Sequence, residues 1–305
     1  MIFLNNTMKK LFCFSFFLIL SISQLDAQGL LDSLDAIVDP PKTKEFVEST
    51  FKAPRLINGQ SVELIGRNEL AAIISHRFGP TSEGAYNFYG LTESHVRLGL
   101  DYGILNRVNV GVGVGSFQRL WDGFLKVKLA RQSHGKRSFP FTIVYSATGF
   151  YTFTKWTDPS RNNLFTSRFS YSHQLLIARK FNSRISIQIT PGVVHRNLVP
   201  REIDQNNVYS VAFGGRFKLT KRLSLNTEYY YLLPGQTQKD FVNPFSVGLD
   251  IETGGHVFQL ILSNAQSPQE KVFIPETTNK WSNGDIHFGF NIVRVFGLSH
   301  KKKID

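Results

Sequence analysis

The sequence predicts an all-β fold, an antiparallel transmembrane β-barrel of about 12 strands, and three observations predict it. From about Leu70 to Phe296, short runs alternate apolar and polar residues, with turns between them. Successive side chains on a strand point to opposite sides, so each run has one greasy face and one polar face. A leader with the character of an export signal precedes the runs. The connections alternate in length, modest then long, as expected when turns lie on one side of a membrane and loops on the other.

In chain order, the leader comes first. Lys9-Lys10 supply charge, Leu11 to Ile22 an apolar stretch, and Leu25-Asp26-Ala27 a small-residue cleavage site, so 1–27 is predicted to be a signal peptide. The stretch is shorter than the roughly 20 residues a spanning helix needs. Residues 28–66 are predicted to be a short periplasmic or plug-like segment. Leu30, Leu31, Leu34, Ile37 and Val38 have helical spacing, which Pro40-Pro41 would end. The barrel is placed at 67–296, and 297–305 is a basic tail carrying Lys301-Lys-Lys303.

The strands are justified one by one. Leu70, Ala72 and Ile74 share a face. Val96, Leu98, Leu100 and Tyr102 oppose His95, Arg97, Gly99 and Asp101. Val108, Val110, Val112 and Val114 alternate with Asn109, Gly111, Gly113 and Gly115, which places glycines on a crowded inner face. Runs at 123–130, 141–151, 167–179, 185–192, 208–219, 223–231, 245–251, 256–263 and 285–296 complete twelve. An even count leaves both ends of the barrel segment on one side, the periplasmic one.

Composition narrows the function classes. The chain has 305 residues, and its mean hydropathy of −0.13 excludes a bundle of spanning helices while allowing a barrel with a polar interior. There are 27 Phe, 10 Tyr and 3 Trp, residues suited to strands and to membrane interfaces. The one cysteine, Cys13, lies in the leader, so no disulfide, thiolate metal site or cysteine nucleophile is expected after export. The net charge of +12 invites a nucleic-acid reading, but the basic residues are scattered and export removes the chain from nucleic acid. No nucleic-acid partner is predicted.

Several blocks resemble a Gram-negative family of membrane-bound β-barrels classed as a domain of unknown function. They are Phe51-Lys-Ala-Pro-Arg-Leu-Ile-Asn-Gly-Gln-Ser-Val-Glu63, Ser75-His-Arg-Phe-Gly79, Asn87-Phe-Tyr-Gly-Leu91, Arg97-Leu-Gly-Leu-Asp-Tyr-Gly103, Trp121-Asp-Gly-Phe-Leu-Lys126 and Gly284-Asp-Ile-His-Phe-Gly-Phe290. The resemblance implies a fold and a membrane but no activity. The last strand separately resembles the signal read by barrel-assembly machinery: Ile286, Phe288, Phe290, Ile292 and Phe296 share a face and the run ends aromatic. Arg294 interrupts that face near its end, where its guanidinium can snorkel to the interface. The expected partners are outer-membrane lipid, the assembly machinery and a small solute, and the expected location is a Gram-negative outer membrane.

No catalytic, cofactor or metal-binding residue is predicted. Five histidines follow a serine, as in Ser75-His76 and Ser94-His95, yet neighbours on a strand face opposite ways and cannot form a nucleophile–base pair. The histidines have no metal-ligand spacing. Gly111-Val-Gly-Val-Gly115 lies within a strand with no helix after it, so it is not a phosphate loop. The predicted lumen-facing residues are Arg77, Arg97, Asp101, Lys126, Lys128, Arg168, Arg216, Lys218, Glu228 and Asp250, with Glu69 beside them. Such charges must be wet or paired. Three readings follow: a narrow channel or transport component for small solutes, a closed structural or partner-binding barrel, and, third, a lipid-acting enzyme.

Overall fold

In the computed structural model, which describes residues 43–156, 158–199, 201–237 and 240–298, twelve antiparallel strands close into a barrel. They are β1 (Glu69–Pro80), β2 (Ser94–Leu105), β3 (Val108–Gly115), β4 (Leu120–Ala130), β5 (Thr142–Thr152) and β6 (Phe169–Lys180). The second half comprises β7 (Ile185–Arg196), β8 (Asn207–Lys218), β9 (Leu223–Leu232), β10 (Phe245–Thr253), β11 (His256–Ser263) and β12 (His287–Gly297). Each strand pairs with the next, and β12 returns to β1 with Ile292 opposite Ile74 and Phe296 opposite Leu70. Closure leaves no unpaired edge. The leader 1–27, the helically spaced residues 30–38 and the tail beyond residue 298 lie outside the described residues.

The described chain divides into two units: residues 43–45 with 134–138, and the remainder, which holds the barrel. In the small unit, Gly135 and Arg137 take left-handed backbone (φ +80° and +57°).

The period-two pattern builds the wall. On β1, Ala71, Ile73, Ser75 and Arg77 are buried inside, while Ile74 is 41% exposed outside. Aliphatic residues such as Ile74, Leu100, Ile187 and Leu260 form the middle of the outer face. Aromatic residues gather at both rims: Trp121, Tyr151, Phe169, Tyr209 and Tyr231 at the end with long loops, Phe181, Phe217, Phe258 and Phe296 at the end with short turns. That is the layout of a barrel wall in a bilayer. Inside, Gly113 makes room for Arg97, because a Cβ there would meet the guanidinium.

Three local readings are corrected. Ile286 stands just outside β12, and its carbonyl accepts the N–H of Thr81 (2.9 Å). β7 continues through Pro191 to Arg196, although Pro-Gly reads as a strand end. The ladder to β6 lapses there, between Gln174↔Gly192 and Ile177↔Ile189, where proline has no N–H to donate. Arg168 precedes β6 in a 3₁₀ turn (Phe165–Arg168) and is not a lumen residue. Its guanidinium lies 4.1 Å from the Trp156 ring and donates to the carbonyls of Thr152 and Thr154, so loop contacts hold it.

Candidate functional site

The site is the barrel interior, and two segments occupy it. From the turn end, residues 50–62 run inside the wall; Phe51, Ala53, Leu56, Ile57, Asn58, Gln60, Ser61 and Val62 are each at most 3% exposed. A bridge between Arg55 and Gln60, and the N–H of Leu56 on the carbonyl of Gly59 (2.9 Å), fold this segment into a tight hairpin. The tip is Leu56-Ile-Asn-Gly59, part of the block that carries the family resemblance.

Polar side chains reach the tip from around the wall. The Glu228 carboxylate on β9 accepts the N–H groups of Ile57, Asn58 and Gly59 (3.3, 3.3 and 3.0 Å). Such charge-assisted bonds are about twice as strong as neutral ones. Arg77 on β1 donates to the Asn58 amide oxygen (2.7 Å), and Asn58 donates to Ser246 on β10 (2.9 Å). Gln259 on β11 and Asn291 on β12 donate to the carbonyls of Leu56 and Ile57 (3.0 and 2.9 Å). Gln188 on β7 donates to the Gln60 carbonyl and accepts the Val62 N–H (2.8 and 3.0 Å). Lys126 on β4 donates to the carbonyls of Pro54 and Glu63 (3.2 and 2.7 Å). Gly59 is required where it stands, since a Cβ would collide with the Tyr230 hydroxyl.

Apolar contacts hold the flanks. Phe51, Leu56 and Val62 pack on Val144, Leu176 and Ala178; Ala53 and Ile65 pack on Ala71, Ile73 and Val293.

From the loop end, the connection after β11 folds inward. It carries a single helical turn, α1 (Glu270–Phe273), with Val272, Phe273 and Ile274 buried. The Phe273 ring meets Tyr230 edge-on at 5.0 Å. Gln269 donates to Asp122 (2.7 Å), which also forms a two-pronged pair with Arg97 (2.9 and 2.5 Å). The two inward segments meet at Glu270, which faces Arg55 at 3.5 Å and accepts from Gln60 at 3.2 Å. Farther out, Glu276 gathers Gln118, Lys271 and Arg196 (2.7, 3.3 and 3.4 Å).

The inward residues read from the sequence fall as follows. Arg77, Arg97, Asp101, Lys126, Arg216, Glu228 and Asp250 are inward and at most 3% exposed. Lys128 and Lys218 occupy inward register near the turn end and are half-buried. Asp250 accepts from Gln259 (2.9 Å). Two Arg216 nitrogens and one Asp101 oxygen are buried without a hydrogen-bond partner. Sequence reasoning missed Asp122, Arg55, Arg196, Glu270 and the inward amides. Asp122 was findable, because it shares parity with Phe124 and Lys126, and so were the inward amides Gln188, Gln259 and Asn291; Arg196 lies past the point where its strand was ended, and Arg55 and Glu270 lie in segments with no period.

The pleat separates each adjacent Ser-His, with Ser75 inside and His76 outside. Across the outer face, however, Ser94 Oγ and His76 Nε2 share a hydrogen bond of 2.8 Å. The other ring nitrogen of His76 is buried without a partner, so no third group orients the imidazole as a triad would. His195 and His256 are also outward, His287 inward. Among the described residues no group of three or more His, Cys, Asp or Glu side chains is arranged to hold a metal ion.

Solved structures similar to this chain include the NanC porin (9% identity, 74% of this chain and 98% of that one, TM-score 0.46). They also include the KdgM porin (9%, 75% and 99%, 0.46) and the COG4313 outer membrane channel from Pseudomonas putida F1 (12%, 77% and 97%, 0.46). No curated protein matches the sequence. The family model described as "Membrane bound beta barrel domain (DUF5777)" matches residues 51–296, from the first residues of the inner hairpin to the end of the closing strand. Hairpin and wall together are therefore one domain's sequence, and the chain belongs to that family of membrane-bound β-barrels.

Proposed function

We propose that this protein is an outer-membrane barrel with its long loops outside the cell, and that the hairpin at 54–61 is a removable plug in a narrow conduit for small polar solutes. One observation carries the reading: Ile57, Asn58 and Gly59 at the plug tip are held by polar and charged side chains from the wall, while Leu56 and the flanks supply the apolar packing. Water can replace such bonds when the tip withdraws, leaving a wettable passage. A wall meant only to be filled would be better served by apolar residues, since buried charges carry a desolvation cost. Cations in inward register on the strands (Arg77, Arg97, Lys126, Lys128, Lys180, Arg196, Arg216, Lys218) outnumber the carboxylates there (Glu69, Asp101, Asp122, Glu228, Asp250, Glu252), which favours anionic solutes.

The test is single-channel recording on refolded, heat-modifiable protein carrying Asn58→Cys and Ser246→Cys, whose native side chains touch at 2.9 Å. Reduced protein is expected to show openings with anion preference, and oxidation to abolish them. Silence in both states would sink the conduit and leave the closed, partner-binding barrel as the better reading.

A further inference from the structure

The outer face of β1–β4 differs from the rest of the greasy belt. Ala72, Val112 and Val114 stand among Ile74, Leu98 and Trp121, and the small side chains leave an almost wholly apolar depression of 310 Å³. A second depression of 530 Å³ adjoins it toward the loop end, sharing Leu98 and Val114 and bordered by Phe153 and Arg119. From Val112 to Ser116 the pair runs about 13 Å along the strand direction at the usual rise per residue.

Arg119 closes the loop end of this groove. Gln118 and Arg119 both take left-handed backbone (φ +51° and +47°), an unusual pair for residues with side chains. The turn is pinned by Arg119 N–H on the Ser116 carbonyl (3.2 Å) and Phe153 N–H on the Arg119 carbonyl (3.3 Å). The guanidinium is exposed and has no ion-pair or ring partner among the described residues. Arg179 and Arg294, at the opposite rim, instead lie 5.0 and 4.8 Å from the rings of Phe181 and Phe296. Arg119 is thus an unneutralised cation at the head of an apolar trough on a membrane-facing wall.

We propose that this groove binds one acyl chain of a phosphorylated, acylated glucosamine lipid of the outer leaflet, with a lipid phosphate on Arg119. Charge complementarity selects the phosphate, and continuity with the bilayer face selects a lipid rather than a protein segment. The inference rests on the orientation proposed above, long loops outward, but not on whether the barrel conducts.

Native mass spectrometry of full-length barrel extracted in mild detergent tests it, with wild type, Arg119→Gln and Val112→Trp compared at equal heat-modifiability. Wild type is expected to retain the glucosamine lipid. Each variant is expected to lose about tenfold in occupancy, the size of one charge-assisted contact or of a filled groove. Undiminished occupancy in both variants, retention of glycerophospholipid instead, or no retained lipid in wild type would each overturn the site. A barrel that never conducts yet keeps this lipid would fail only the conduit.

Discussion

The two faces of each strand obey different rules. On β12, Asn291 points inward and donates to the Ile57 carbonyl and the Gln259 amide oxygen (2.9 and 2.8 Å), while its neighbour Phe290 points outward and stacks on His76 at 5.1 Å. Inside, a residue is chosen for one partner on another strand or on the plug. Outside, in a bilayer, apolar character and rim aromaticity matter over most of the wall, since lipid fills the shape the side chains leave, and the groove headed by Arg119 is the local exception. The interior is therefore a solved puzzle and the exterior a solvent-matched coat.

The sharpest break of that contrast is Arg97→Met. It strands the Asp122 carboxylate in a lumen where both partners are at most 2% exposed at the side chain, and about 3–5 kcal/mol should be lost. Urea unfolding in vesicles, followed by heat-modifiability, measures it. Adding Asp122→Leu should restore most of the loss, because removing both charges is far cheaper than removing one. Failure of the double variant to recover would mean that the pair is needed for more than charge balance.

Next in size is a matched pair of leucines. Leu176 is buried inside against Leu56 and Val62, so Leu176→Ala should cost about 2–5 kcal/mol by opening a cavity. Glu228→Gln follows at about 1–3 kcal/mol, since a neutral amide cannot accept three backbone N–H groups as well as a carboxylate does. Its signature should be local: protease cutting within 50–62 rises while the strands stay protected. Leu260, the outward counterpart at 40% exposure, should lose less than about 1 kcal/mol on truncation to alanine in lipid, because acyl chains replace the missing atoms. Equal costs at Leu176 and Leu260 would erase the distinction between the faces.

What could be read beforehand follows the same division. The alternation of valine and glycine at 108–115 makes β3 legible residue by residue, and parity alone turns Arg97, Lys126 and Glu228 inward. Parity says nothing about partners. That Glu228 would receive three N–H groups from residues 57–59, about 170 positions away, depends on the closed barrel bringing β9 over the hairpin. Arg55 and Glu270 were illegible for a related reason: each lies in a segment without period, and only insertion from opposite ends brings them together. Pro191 misled because proline usually ends a strand, whereas here one ladder lapses while Val211↔Pro191 keeps the other in register. Asp122 was lost when its strand was started too late.

The smallest expected effect lies at the seam where β12 meets β1, beyond both faces. Asp285 holds the two flanking loops together: its carboxylate accepts from the Ser82 side chain and the Lys280 N–H, while Thr81 donates to the carbonyls of Ile286 and Gly284 (2.9 and 2.8 Å). Those bonds to the ionised form hold the Asp285 carboxyl below the usual carboxylate range. A depressed value means that the clasp's contribution is fully present at neutral pH, above the range where free carboxyls titrate, and is lost progressively as pH falls from that range through the folded value. Hydrogen exchange of residues 81–93, compared between wild type and Asp285→Asn at each pH, should show extra protection in wild type that disappears in strong acid. Protection that instead faded near neutral pH would show that the Asp285 carboxylate is not what holds the clasp.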